Sequence, residues 1–228
     1  MAFFSCKNDA KPKPENTKTA PKKETNTIPK VNIPAGGEND VDVSHIETLT
    51  QENLEAYLKA YEKRNPQSIV RVKTKFGEFK IQLFAQERLH RVNFIRLTKL
   101  GYFDDTFFHR VDSGFVVQGG NSDKPSTQQL REKIGDFLLP NEYSPFHKNK
   151  YGFVGMAKPL SQKVSNASTP FEFYIVVDKD GAHHLDEEFT VFGRVIEGME
   201  VVEEIAKQET DASEWPLRNI QMDVEVIE

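Results

Sequence analysis

Cysteine, long apolar runs and an excess of positive charge are all missing from this chain of 228 residues. Because Cys6 is the only cysteine, no disulfide can form within the chain. No stretch approaches the ~18–20 consecutive apolar residues of a membrane-spanning helix. The formal net charge of −5 argues against a broad nucleic-acid-binding face, and no internal repeat indicates a solenoid. The length suits one domain of ordinary size with an appendage.

Large apolar side chains are scarce at the start of the chain and common in the rest. Hydrophobic residues make up 37% of the chain, and nearly all of its 17 phenylalanines follow the first forty residues. Residues 7–43 contain seven lysines and five prolines. Such a segment cannot bury enough apolar surface to offset the entropy of ordering it, so we predict a disordered linker. A weak electrostatic contact with anionic surfaces is the alternative use of this segment.

The first five residues, Met-Ala-Phe-Phe-Ser, are mostly apolar and end in a small residue before Cys6. They resemble the end of a bacterial lipoprotein signal, in which the cysteine becomes the acylated first residue. The basic region and most of the apolar core of such a signal are missing, and Phe3 stands where leucine is usual. We interpret residues 1–6 as a signal remnant, which implies a lipid tether on Cys6 and a location at the periplasmic side of the cell envelope. The alternative is a frayed N-terminus with an incidental cysteine.

A helix is predicted within residues 44–66. Its apolar residues recur at i, i+3, i+4 and i+7, the spacing of one helix face: Leu54, Tyr57, Leu58 and Tyr61. Thr50 suits the N-cap, and Pro66 stops the helix. The helix packs on the following domain in one interpretation and binds a partner in the other.

Residues 67–228 form the predicted folded domain, built from short strands separated by turns. The predicted strands cover 69–72, 79–83, 106–111, 115–118, 153–157, 171–177, 191–195 and 220–226. The two long helices lie at 88–100 and around 199–205, whereas 121–150 is predicted to be mostly loop. Many short strands with two helices suggest a closed β-barrel, because closure removes exposed strand edges. Periodicity alone leaves a barrel and a sandwich both open.

One stretch, residues 107–120, carries most of the chemistry. It reads Phe-Phe-His-Arg-Val-Asp-Ser-Gly-Phe-Val-Val-Gln-Gly-Gly, with Arg110 inside apolar sequence. A buried charge is costly unless it is paired or used. Residues 112–114 have the composition of a turn, which brings Phe115 and Gln118 within reach of Arg110. The pattern predicts a charged catalytic group beside an apolar pocket; the alternative is an arginine paired with a carboxylate at a barrel rim.

The same stretch resembles the signature of the cyclophilin family of peptidyl-prolyl cis-trans isomerases, and further matches extend over about residues 69–228. The resemblance implies a mainly β fold, a closed eight-stranded antiparallel β-barrel capped by two helices. Here it would be preceded by the disordered tail and the extra helix. It also implies an enzyme that acts on proline-containing polypeptides. Isomerisation makes and breaks no covalent bond, so we expect no cofactor or metal. We also expect a monomer and, from the net charge, no nucleic-acid partner.

The resemblance assigns roles to particular residues. Arg110 and Gln118 match the catalytic pair. The residues that match the substrate-binding set are Phe115, Val116, Ala157, Lys158, Glu172, Tyr174, His184, Leu185 and Phe189. Within this set, Ala157 and Lys158 are expected to pair with the substrate backbone. The chain departs from the family's usual residues at Val116 (Met), Lys158 (Asn), Glu172 (Gln), His184 (Trp) and Phe189 (His).

Four side chains carry separate expectations. Glu172 is expected within hydrogen-bonding range of Arg110, where its carboxylate would compete with substrate, so Glu172→Gln or mildly acid pH should raise activity. His109 is expected to be structural and to face away from the pocket. His183 and His184 are adjacent but lack a third ligand, so no metal site is predicted.

The predicted function is prolyl isomerisation that assists the folding of exported proteins. The alternative is a non-catalytic module that binds proline peptides, or a chaperone of the cell envelope, favoured by the altered groove residues Lys158 and Glu172. A third interpretation, a structural lipoprotein with an inert barrel, leaves the Arg110 pocket unexplained.

Overall fold

The structure is a computed structural model that describes residues 45–159 and 165–228. Its strands are β1 (Leu49–Thr50), β2 (Ile69–Thr74), β3 (Gly77–Leu83), β4 (Phe107–Val111), β5 (Val116–Asn121), β6 (Gly135–Asp136), β7 (Phe153–Met156), β8 (Phe173–Val176), β9 (Val191–Glu197) and β10 (Asp223–Val226). Its α-helices are α1 (Leu54–Glu62), α2 (Arg88–Lys99), α3 (Pro125–Ile134) and α4 (Met199–Ala206), and short 3₁₀ helices span Phe103–Asp105 and His183–Leu185. The signal remnant, Cys6 and the linker at 7–43 lie outside the described residues.

Eight strands form one antiparallel sheet in the order β10-β2-β3-β9-β7-β8-β5-β4. The end strands β4 and β10 are not paired along their length in the described part of the chain. Their ends meet through one bridge between Phe107 and Gln221, and the Phe108 N–H donates to the Ile220 carbonyl at 2.9 Å. The prediction of eight antiparallel strands is therefore confirmed, but full closure is wrong, since the sheet curls into a half-barrel.

Alternation along the strands produces the core. Successive side chains of a strand point to opposite faces, so every second residue can be buried. Val70 and Val72 on β2 are buried in this way, as are Phe79 and Ile81 on β3. Helix α2 covers one end of the core with Phe94, which is fully buried.

Helix α1 begins later than predicted. Thr50 does not cap it; Thr50 lies in β1, which pairs in parallel with β6. Asn53 is the N-cap residue, and its Oδ1 accepts a hydrogen bond from the Thr50 N–H at 2.8 Å. Leu54 and Leu58 are buried in the core shared with the sheet, and the Glu62 carboxylate contacts both Arg88 and Arg91 on α2. These contacts favour the interpretation of a helix packed on the domain.

Helix α3 was missed because residues 121–150 are largely polar. Thr127, Leu130 and Ile134 are nevertheless buried and recur at i, i+3 and i+7, the spacing of one helix face. Pro125 occupies the first turn, where its missing N–H costs nothing. The domain thus has more helix than the two predicted elements. No helix in the described ranges is long and apolar enough to cross a membrane.

Candidate active site

Strands β4 and β5 form a hairpin with a bulge at its centre. Arg110 lies opposite Gln118, and Phe108 lies opposite Gly119, which leaves His109 as an extra residue on β4. A bulge of this kind redirects a side chain that strict alternation would place on the other face. His109 accordingly lines the same cavity as Arg110. The expectation that His109 faces away from the pocket is wrong.

The hairpin forms one wall of an open cavity of about 810 Å³. The cavity is lined by His109, Arg110, Phe115, Val116, Gln118, Asn121, Ala157, Lys158, Pro159, Thr169, Glu172, Tyr174, Leu185, Phe189, Ser213 and Trp215. All the predicted catalytic and substrate-binding residues are among them except His184. The predicted constellation therefore comes together in space, although its residues come from four separate segments of the chain.

The cavity has an apolar floor that is separate from the main core. Its buried residues are Val116, Tyr174, Val176 and Ala182, with Phe115, Leu185 and Phe189 packed at the edge. A side chain at position 155 would collide with the Tyr174 ring, so Gly155 is what lets that ring occupy its place. Burial raises the pKa of Tyr174 and keeps its hydroxyl protonated. The floor is thus an uncharged, apolar surface.

Asn149 links two parts of the floor through hydrogen bonds. The Tyr174 hydroxyl donates to its Oδ1 at 2.7 Å. The backbone N–H and the side-chain amide of Asn149 both donate to Asp186, at 2.8 and 3.0 Å. Asn149 is fully buried, so it ties β8 to the segment that carries Leu185.

Arg110 lies at the rim of this floor with a partner that the sequence did not predict. Its Nε–H donates to Glu214 Oε2 at 2.6 Å, and its guanidinium lies 5.7 Å from the centre of the Phe115 ring. The Nη2 atom is 3.8 Å from Asp112 Oδ2, too far for a hydrogen bond. Glu172 makes no ion pair with Arg110 among the residues that the structure describes, so that expectation is wrong.

Glu172 instead supports Gln118. Its Oε2 accepts a hydrogen bond from Gln118 Nε2 at 3.0 Å and lies 3.5 Å from His109 Nε2, while its Oε1 accepts from Arg131 Nη2 at 3.2 Å. Burial by itself would raise the pKa of Glu172, but His109 and Arg131 outweigh burial, so the pKa lies below its ordinary value. The carboxylate is therefore ionised at neutral pH and orients the Gln118 amide.

The segment beside β7 supplies the other wall. Ala157 lines the cavity, but its N–H donates to the Glu172 carbonyl and its carbonyl accepts from the Thr169 N–H, both at 2.8 Å. The Ala157 N–H is therefore used within the protein, and the pairing of Ala157 and Lys158 with the substrate backbone stays a prediction. The Lys158 Nζ is 3.0 Å from Glu188 Oε2 and 4.3 Å from the centre of the Phe189 ring.

The two adjacent histidines have other partners. His184 is outside the cavity lining and stacks on Phe115, with ring centres 5.1 Å apart and an interplanar angle of 27°. His183 Nδ1 lies 3.0 Å from Asp186 Oδ2. Within 45–159 and 165–228, no three His, Cys, Asp or Glu side chains are grouped in a way that could hold a metal ion. His184 thus supports the Phe115 side of the cavity.

Several functional residues carried no recognisable signal in the sequence. Arg131 reaches the site from α3, and its Nε–H also donates to the Tyr102 hydroxyl at 2.8 Å. Ser213 and Trp215 line the cavity from the loop between α4 and β10, and Glu214 of the same loop contacts Arg110. A correct prediction of helix α3 would have identified Arg131 as a candidate site residue. Nothing local distinguishes Glu214 from the other acids of its segment.

The fold and the site together define a class of protein. A half-barrel carries an open groove whose floor is apolar, and one guanidinium and one oriented amide stand at its rim. Such a site can hold a proline ring and donate hydrogen bonds to the peptide around it. None of the lining hydroxyl groups that the structure describes is paired with a histidine as an activated nucleophile, and such a site suits a change of conformation better than bond cleavage.

Comparison with known proteins identifies the family. The model of the family "Cyclophilin type peptidyl-prolyl cis-trans isomerase/CLD" matches residues 69–226. The chain therefore belongs to the cyclophilin-type peptidyl-prolyl cis-trans isomerases. The match begins at β2, so α1 precedes the part that the family shares.

Relatives from distant organisms are similar to this chain. Peptidyl-prolyl cis-trans isomerase-like 2 of Rhizopus delemar is 32% identical over 164 residues, which cover 71% of this chain but 29% of that protein. Peptidyl-prolyl cis-trans isomerase CYP18-1 of Arabidopsis thaliana is 32% identical over 157 residues, 67% of this chain and 91% of that protein. A crystal structure of a Cryptosporidium parvum cyclophilin type isomerase in the presence of the dipeptide Ala-Pro superposes with a TM-score of 0.58 at 27% identity, covering 70% of this chain and 99% of that one. The chain thus spans less than a third of the first relative and nearly all of the other two.

Proposed function

We propose that this protein accelerates cis-trans isomerisation of X–Pro bonds in polypeptides by binding the proline ring on the apolar floor and the twisted amide at Arg110. The observation that carries the proposal is the position of Arg110, which lines the same cavity as Phe115 and Tyr174. A cation and an apolar surface side by side match a substrate with a hydrophobic ring and a polar amide.

The chemistry needs no covalent step. Amide resonance sets a rotation barrier of ~18–20 kcal/mol, and twisting the bond leaves the prolyl nitrogen pyramidal with a free lone pair. A donor from Arg110 stabilises that lone pair only in the twisted state, whereas the floor holds the ring in both planar isomers. Stronger binding of the twisted state lowers the barrier. Gln118, oriented by Glu172, holds the neighbouring backbone.

A panel of X-Pro peptides tests this proposal. We expect the wild-type protein to accelerate isomerisation in a protease-coupled assay, with a preference among the residues before proline. The rival function, a non-catalytic module or chaperone that binds proline peptides, is favoured by the charged pair Lys158–Glu188 at the groove. Saturable peptide binding without acceleration on every peptide of the panel would establish the rival and exclude the enzyme.

We further propose that the protein acts on exported polypeptides from the periplasmic side of the cell envelope, tethered through a lipid on Cys6. The support is the sequence before Cys6 and the polar composition of 7–43, which suits a tether. Detergent phase partitioning of the full-length protein from cells tests it. We expect wild-type protein in the detergent phase and Cys6→Ser in the aqueous phase; recovery of both in the aqueous phase would exclude the tether.

A further inference from the structure

The loop that brings Glu214 to Arg110 is held in shape by hydrogen bonds within the loop. Asp211 Oδ1 accepts from the Ser213 N–H at 2.8 Å, the Ser213 hydroxyl at 2.7 Å and the Trp215 N–H at 3.0 Å. The Glu214 N–H donates to the Asp211 carbonyl at 3.1 Å. These hydrogen bonds therefore fix the position of the Glu214 backbone.

Glu214 adopts a backbone conformation that costs free energy. Its φ is +65°, in the left-handed region that side chains other than glycine rarely occupy. Such strain persists where the surroundings hold it, and it is concentrated at functional sites. Two contacts with neighbouring residues of β4 hold Glu214: its carbonyl accepts from the Val111 N–H at 2.8 Å, and its carboxylate accepts from Arg110.

The effect of this contact on catalysis depends on which nitrogen of Arg110 donates to Glu214. A guanidinium carries five N–H donors in a rigid plane, one on Nε and four on the two Nη atoms. Glu214 takes the Nε donor. The Nη atoms donate no hydrogen bond to any residue in the described ranges, and the Asp112 carboxylate stays 3.8 Å from Nη2. The contact fixes the plane of the guanidinium and leaves the Nη donors for substrate.

We propose that Glu214 is a positioning residue for Arg110, and that it holds the guanidinium so that its Nη donors serve the twisted prolyl amide. This inference rests on the proposed isomerase function. Because the Nη donors act on the twisted state, loss of the positioning contact lowers turnover more than it weakens binding of the planar peptide. A carboxylate that competed with substrate would act in the opposite direction, and removing it would raise turnover.

Turnover and binding are measured separately on one Ala-Pro-containing tetrapeptide. Exchange NMR at saturating peptide measures turnover, and fluorescence of Trp215 measures the Kd, since Trp215 is the only tryptophan and lines the cavity. We expect Glu214→Ala to lower turnover about tenfold while the Kd changes by less than about twofold. Glu214→Gln, which can still accept from Nε, should recover part of the loss. Glu209→Gln, an exposed acid near the same loop, is the matched charge control and should behave as wild type.

Glu214→Gly separates positioning from folding. Glycine adopts a φ of +65° without strain, so this variant keeps the loop conformation and removes only the carboxylate. We expect wild-type thermal stability together with the turnover loss seen for Glu214→Ala. Wild-type or higher turnover in both variants would overturn the positioning role.

A measurement that does not depend on activity separates the positioning role of Glu214 from the proposed isomerase function. NMR of isotope-labelled protein measures solvent exchange of the Arg110 Nε–H, with exposed Arg218 as the internal reference. We expect exchange at Arg110 to be slower than at Arg218 by at least about tenfold in wild type and to become similar in Glu214→Ala. Slow exchange in an inactive wild-type protein would refute the isomerase function and leave the contact standing, whereas rapid exchange in an active one would refute the positioning role alone.

Discussion

Arg110 is only partly removed from solvent, since 34% of its side chain is exposed and 42% of that of Glu214. An ion pair at this exposure contributes about 0–1 kcal/mol to folding. Its effect on the reaction is larger, because the donors of Arg110 act inside a cavity with an apolar floor. Stability and activity should therefore respond separately to changes at this residue.

Arg110→Ala should lower kcat/KM by at least ~100-fold, which is about 2.7 kcal/mol of transition-state stabilisation, with little change in Tm. Arg110→Lys should recover little of the activity, because an ammonium lacks the planar fork that bonds Glu214 through Nε and leaves the Nη donors for substrate. The coupled isomerisation assay and thermal unfolding measure the two effects. Near wild-type turnover in Arg110→Ala would refute the mechanism.

Glu172→Gln should lower kcat/KM about fivefold, or about 1 kcal/mol, because the neutral amide holds Gln118 less firmly and loses the charge contact with Arg131. This expected loss replaces the gain in activity predicted from the sequence, because that prediction assumed a contact between Glu172 and Arg110.

The pKa of Glu172 also affects folding stability. Since this pKa is lowered in the folded protein, the stability that the ionised carboxylate contributes is complete above the unfolded-state pKa of about 4.3. It is lost as pH falls through the lower folded-state pKa.

The pH dependence provides the check on Glu172. The carboxylate stays ionised from about pH 5 to 8, so the activity ratio of wild type to Glu172→Gln should be constant across that range. Glu132→Gln, an exposed acid on α3, is the matched control. A ratio that falls toward one at about pH 5 would mean that Glu172 titrates in this range, contrary to the surroundings described for it.

At the scale of elements, the site depends on features that interrupt regular structure. The bulge in β4 brings His109 into the cavity beside Arg110. Helix α3 carries Arg131, which contacts Glu172, and the loop before β10 carries Glu214, which contacts Arg110. The regular strands provide the frame, and these irregular elements determine which charges meet at its rim.

Asn149→Ala should destabilise the protein by about 1–3 kcal/mol, because it leaves the buried Tyr174 hydroxyl without its acceptor and frees Asp186. We expect Tm to fall by about 2–12 °C and KM to rise as the wall that carries Leu185 loosens. Tyr174→Phe breaks only the hydroxyl contact and should have the smaller effect. Equal Tm values for Asn149→Ala and wild type would show that Asn149 does not support the floor.

At the scale of the whole molecule, α1 belongs to the same hydrophobic core as the half-barrel. Ile46, Leu49, Leu54 and Leu58 are buried in the cluster that contains Val70 and Phe79. The region that the family shares begins only at residue 69. The folded unit of this protein is therefore longer at its N-terminal side than the family match.

Two truncations test this extent. Deletion of residues 1–43 should leave Tm and kcat/KM unchanged, since the composition of that segment cannot sustain a core. Deletion of residues 1–66 should lower Tm by at least about 10 °C, because burying each leucine side chain contributes about 1.5–3 kcal/mol. Thermal unfolding of both proteins decides the matter. Equal Tm values would show that α1 is an appendage.

The sequence by itself determined the strands of the sheet and helices α2 and α4, because side-chain alternation, helical spacing and turn residues are local signals. Local sequence also placed Phe115 and Gln118 near Arg110, whereas the other predicted cavity residues followed from the resemblance to the cyclophilin signature. The tertiary structure alone decided which charges pair. Arg110 and Glu214 are 104 positions apart, and any of the 35 Asp and Glu side chains satisfies the rule that a cation needs an anion. Distance after packing selects among them, so the partners of Arg110 and Glu172 became visible only in the folded chain.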